Sequence, residues 1–284
     1  MAFEQGRASE SVYSADVGEK GGLTPFFFGP DDHSLFGCLY SPQSRQGRNW
    51  GAVLCYPTGH EYIISHRAFR QLAQRLTLAG FHVLRFDYFG SGDSGGESDE
   101  ARIAGGLSDI AMAMQELRRR AGIEKLCVVG CRMGASLAML EGAQHGNIGT
   151  LVLWDPIVSG AAYLDDLRGK HKRMLLSSHV RPPKAGDTGE ILGSPLTDVM
   201  RQDLASLDLL SIARKPAATV LVVQSSEEQH ALRLKMHLQD LGTDVSYRLV
   251  PTQMTWDWSE LPTKVLVPAQ IIQTIVTWLD TACV

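Results

Sequence analysis

Lys125-Leu126-Cys127-Val128-Val129-Gly130-Cys131-Arg132-Met133-Gly134-Ala135-Ser136 is the stretch that decides how this chain is read. After the leading lysine it is a short apolar run, the pattern of a strand buried on both faces. Small residues then open a helix over Gly134–Ala143. Strand and helix meet so closely that the turn between them must be sharp, and Gly130 and Gly134 leave room where a side chain would not fit. The tip of that turn is Arg132. A guanidinium is a fixed cation with donors only, so it cannot attack a carbonyl.

Outward from this stretch, short apolar strands alternate with helical periodicity. Strands are predicted at Thr24–Phe28, Ser34–Tyr40, Gly51–Tyr56, His82–Phe86, Lys125–Val129, Thr150–Trp154, Thr219–Gln224 and Ser246–Val250. Helices are predicted at Ser65–Ala79, Gly105–Ala121, Gly134–Ala143, Gln229–Leu241 and Pro268–Asp280. In the first of these, Phe69, Leu72, Ala73, Leu76 and Ala79 fall on one face. The alternation predicts an α/β fold, a mostly parallel eight-stranded sheet covered by helices on both faces. Ligands of such sheets bind at the carboxyl ends of the strands.

Residues 1–22 are polar and glycine-rich and read as a flexible N-terminal arm, leaving 23–284 as one domain. The stretch 159–215 is longer than a crossover needs and reads as a cap over the strand ends. With 284 residues, 44% of them hydrophobic, the chain has enough apolar surface for one large core. A net charge of −4 gives no general attraction to nucleic acid or anionic membranes. No run is apolar and long enough for a membrane span, and the first twenty residues lack a signal-peptide core. The five cysteines have no zinc-site spacing and suit reduced thiols in a cytoplasmic protein. No metal or cofactor motif appears.

Several motifs together carry a resemblance. They are Tyr56-Pro57-Thr58-Gly59-His60-Glu61-Tyr62 with Ser65-His66-Arg67, then Arg85-Phe86-Asp87-Tyr88-Phe89-Gly90-Ser91-Gly92-Asp93-Ser94-Gly95, Gly130-Cys131-Arg132-Met133-Gly134-Ala135, and Leu153-Trp154-Asp155-Pro156. The chain resembles α/β-hydrolase-fold proteins over roughly 34–279. Within them it is most similar to the serine-aminopeptidase-like branch, including hydrolase-like proteins found with exosortase and polysaccharide or secondary-metabolite gene clusters. The resemblance implies a nucleophile elbow, Gly-x-Ser-x-Gly, with an acid and a histidine base at other strand ends. Arg132 stands at the nucleophile's place. The acid's place reads Ser225-Ser226-Glu227-Glu228, with Asp155 as an alternative, and the base's place, Pro251 to Trp258, holds no histidine.

Arg132 at a helix start needs an anion, because the helix end is itself partly positive. The anion is either an internal carboxylate (Asp155, Glu61 or Asp87) or a ligand held by the guanidinium. His60, Glu61 and Tyr62, after the third strand, form a candidate acid/base set with Arg132 and Asp155. Gly59, Cys131, Met133, Trp256 and Trp258 are candidates to line the substrate site, and Cys131 is the alternative nucleophile. Three functions follow. The first is an enzyme acting without a covalent intermediate, of lyase, cyclase or isomerase type, on a small acyl or carboxylate ligand, free or borne on an acyl carrier protein. The second is a hydrolase or acyltransferase with a non-standard nucleophile, and the third is a non-catalytic ligand-binding protein that keeps the hydrolase shell.

Overall fold

The computed structural model describes residues 22–42, 48–179, 189–252, 256 and 267–284. The proposed arm, apart from Gly22, and Trp258 lie outside the described residues. In chain order the elements are β1 (Leu23–Phe28), β2 (Leu35–Tyr40), β3 (Trp50–Cys55), α1 (His60–Leu78), β4 (His82–Phe86), α2 (Ile103–Ala121), β5 (Lys125–Cys131), α3 (Met133–His145) and β6 (Thr150–Trp154). The segment after β6 contributes α4 (Gly160–Ser177), a short β7 (Glu190–Ile191) and β8 (Ser194–Pro195) hairpin, and α5 (Asp198–Ser206). Then come β9 (Thr219–Gln224), α6 (Gln229–Asp240), β10 (Asp244–Leu249) and α7 (Ala269–Ala282).

Eight strands form one sheet in the order β1-β2-β4-β3-β5-β6-β9-β10. β1 and β2 join antiparallel at one edge, and every pairing from β4 to β10 is parallel. The parallel strands are buried because helices cover both faces. α1 packs with α7, and α2 with α3. β5 is buried at every position after Lys125, and α3 buries nine of its thirteen residues, as a helix of small residues wedged against the sheet centre does.

From β3 the chain runs by α1 to β4, on one side of β3; from β5 it runs by α3 to β6, on the other. The connections diverge at the carboxyl ends of β3 and β5, and the divergence opens a crevice there. Most boundaries shift by one or two residues from the sequence expectation, and three of the differences bear on the site or the sheet edge. β5 continues to Cys131, β10 spans 244–249, and α1 begins at His60, five residues before the expected Ser65. His60 and Glu61 are polar yet buried, so apolar periodicity gave no sign of that first turn. They belong to a helix start and not to a loop.

Candidate functional site

The bend between β5 and α3 is a sharp elbow. Arg132 has φ 53° and ψ −122°, outside the regions an L residue prefers, a conformation costing about 1–3 kcal/mol. Packing imposes it. A Cβ at Gly130 would lie 2.4 Å from the Ala135 Cα, and one at Gly134 would lie 2.2 Å from the Tyr56 carbonyl oxygen. The two glycines thus let α3 press against both β5 and the end of β3, and the chain must turn at position 132.

The Arg132 side chain is buried, and each of its three nitrogens donates a hydrogen bond. Its Nε and Nη2 donate to Glu61 Oε1 at 3.1 and 3.0 Å, and Nη1 donates to the Asp155 carbonyl at 3.4 Å. Aromatic rings flank it, with Tyr163 at 5.5 Å and Trp256 at 5.4 Å from the guanidinium carbon. Burial opposes the charge, but Glu61 and Asp155 outweigh burial and raise the arginine pKa above its ordinary value. Of the three internal carboxylates considered from sequence, Glu61 is the one that pairs.

Asp155, at the end of β6, also has positive φ, 43°. Its Oδ1 accepts the Ser225 backbone N–H at 2.7 Å. Its Oδ2 accepts the Ser225 hydroxyl at 2.7 Å and the Trp256 indole N–H at 3.0 Å. An indole therefore meets the carboxylate at the strand ends, and the same indole ring faces Arg132. Glu227 and Glu228 are exposed. Ser136 has its hydroxyl taken up by the backbone of Arg132 and Ile157. Cys131 is fully buried, and burial pushes its thiol well above the ordinary value, which disfavours the thiolate.

A cavity of about 880 Å³ lies beside this cluster, between the carboxyl ends of the strands and residues of α4, the β7–β8 hairpin and α5. Met133, Leu137, Leu167, Ile191, Leu196 and Leu204 give it an apolar lining. Gly59, His60 and Tyr62 line it too; Arg132, Glu61, Asp155, Cys131 and Trp256 do not. The candidate set therefore divides. Arg132, Glu61, Asp155 and Trp256 form a brace behind the cavity, while Gly59, His60, Tyr62 and Met133 face it. Tyr62 donates to Asp87 Oδ1 at 2.8 Å, and burial with the Asp87 charge raises its pKa, opposing its ionisation. His60 Nε2 lies 3.3 Å from the Trp256 carbonyl. Sequence reasoning missed His33 and Asp109, which also line the cavity.

Burial lowers the pKa of His60, His66 and His82. The unfolded chain protonates such groups near pH 6.5, before the folded chain does, so stability is present above that pH and is lost below it. Asp87 and Asp109, raised by burial, act in the opposite sense, gaining stability as pH falls through their raised folded values. The urea midpoint is expected to fall between pH 7.5 and 5.5, and to fall less in His60→Gln. A midpoint unchanged across that window would contradict this assignment.

Residues 58–208 match the family model described as serine aminopeptidase, S33. The human protein ABHD12B is 34% identical over 102 residues, which is 36% of this chain and 26% of that protein's length. The chain thus spans about a quarter of that relative. Est1E from Butyrivibrio proteoclasticus, solved with ferulic acid bound, superposes with a TM-score of 0.66 at 13% identity, covering 90% of this chain and 98% of that one. The Pyrococcus furiosus esterase PF2001 superposes with a TM-score of 0.62 at 14% identity, covering 93% and 92%. Among the described residues, no helix is long and apolar enough to cross a membrane. With its elbow, its sheet order and the matched region covering more than half its length, the chain belongs to the serine aminopeptidase S33 family of the α/β-hydrolase superfamily.

Proposed function

We propose that this chain is an enzyme that encloses a small acyl or carboxylate molecule beneath the cap and transforms it by proton transfer, with no ester formed on the protein. Lyase, cyclase or isomerase chemistry fits that description. One observation supports it above the others: the place of the nucleophile holds a guanidinium bound to Glu61, and the place of the base holds an indole on Asp155. The triad is degenerate in this reading, yet a sizeable apolar cavity with an imidazole facing it is kept. Burial lowers the pKa of His60, which favours the neutral imidazole, the form that accepts a proton. Such general-base assistance is worth about 10²–10⁴-fold in rate. Arg132 and Glu61 hold the strand ends and do not bind the ligand. The ligand arrives free or on an acyl carrier protein, past the exposed Ile63 and Val199 at the cavity rim.

A second reading, a ligand-holding protein without turnover, is favoured by the same closed Arg132–Glu61 pair, which offers no charge to a transition state. Treatment with a fluorophosphonate and, separately, iodoacetamide, followed by peptide mass spectrometry, tests the main reading. No adduct on any hydroxyl or thiol lining the cavity is expected. Stoichiometric modification of one would overturn it in favour of a hydrolase with a displaced nucleophile.

A further inference from the structure

His33 and Asp109 are 76 positions apart in sequence and meet in the wall of the cavity. His33 sits in a short 3-10 turn between β1 and β2, and Asp109 on α2. His33 Nε2 lies 2.6 Å from Asp109 Oδ1, while Asp109 Oδ2 accepts the Phe89 backbone N–H at 2.9 Å. Both carboxylate oxygens are thus engaged, and the Asp109 side chain is only 2% exposed. The imidazole stacks on Phe89 with ring centroids 4.1 Å apart and planes 9° apart. It is held on one face by a ring and at one nitrogen by a buried carboxylate. The His33 side chain keeps 30% of its exposure, and both residues line the cavity that His60 lines.

A carboxylate that takes the N–H of one ring nitrogen fixes the tautomer and leaves the other nitrogen basic. With Nε2 given to Asp109, Nδ1 is the nitrogen left to a cavity occupant, and no described residue hydrogen-bonds to it. A structural tie between the β1–β2 turn and α2 would need neither the ring's exposure nor its place in the cavity wall.

We propose that His33 is a second proton-accepting group of the cavity, positioned by Asp109, and that it activates a water or ligand hydroxyl there. The inference rests on the cavity being the ligand site. With an activated ester as a probe of that basicity and water as the nucleophile, the water O–H bond breaks and its proton goes to His33 Nδ1. The oxygen bonds to the carbonyl carbon, and the alcohol part leaves with the electron pair of the broken C–O bond. The buried Asp109 carboxylate balances the imidazolium formed, as a fixed counter-charge that needs no reorganisation.

The test uses the full chain and 4-nitrophenyl butyrate, whose leaving group needs no acid. The wild-type protein is expected to release nitrophenolate with no burst. His33→Gln, folded by circular dichroism, is expected to lose about 10²-fold of that rate. His33→Ala is expected to regain a large part of its rate with added imidazole, and Asp109→Asn to lose rate while retaining its near-ultraviolet spectrum. A wild-type rate in His33→Gln, a His33→Ala rate that imidazole does not raise, or no wild-type release above free imidazole would each overturn the dyad. A stoichiometric burst would instead overturn the proposed function. Loss in His60→Gln with none in His33→Gln would leave the proposed function standing and remove only the dyad.

Discussion

Arg132→Ser, Glu61→Gln and Trp256→His, combined in one chain, are expected to make the elbow take up a fluorophosphonate at position 132. The hydroxyl would stand at the tip of a turn that already has the strained backbone, φ 53°. The imidazole would enter where an indole now donates to Asp155 at 3.0 Å, so its own N–H meets the same carboxylate. The glutamine is needed because Glu61 is fully buried and would otherwise lose its cation. Nucleophile and base act as a unit, so the variant lacking only Trp256→His is expected to label about 10²–10⁴-fold more slowly. Intact-mass time courses of the two variants give the comparison. Equal rates would mean that position 256 does not address the elbow and that the degenerate-triad reading is misplaced.

The second large effect concerns stability. Arg132→Ala would leave the Glu61 carboxylate buried with no counter-charge, a loss of about 3–5 kcal/mol. Replacing both residues by apolar ones of similar size, Arg132→Met with Glu61→Leu, is expected to cost far less, since it removes the desolvated charges together. Urea denaturation of the two singles and the double completes the cycle, and a strong coupling between positions 61 and 132 is the expected outcome. Additive losses would show that the 3.0 Å contact carries no net energy.

The sheet and its helices were legible because buried parallel strands and one-sided helices leave strong apolar periods. Position 132 stood out because glycines bracket it. The partner of Arg132 did not stand out: Asp155, Glu61 and Asp87 all suited it, and only the helical first turn of α1 places Glu61 opposite. The Trp256–Asp155 contact joins residues 101 positions apart, which no local pattern encodes. The His33–Asp109 pair left one faint sign. Asp109 interrupts the buried stripe of α2 that includes Gly106, Ile110, Ala113 and Leu117, and a lone carboxylate in an apolar stripe needs a partner.

Gly130 and Gly134 have a broader consequence. Because their contacts with Ala135 and Tyr56 set the bend, the shape of this corner is independent of whichever residue crowns it. Chemistry there can be exchanged by altering the crown and its immediate neighbours, while the framework that presents it stays as it was.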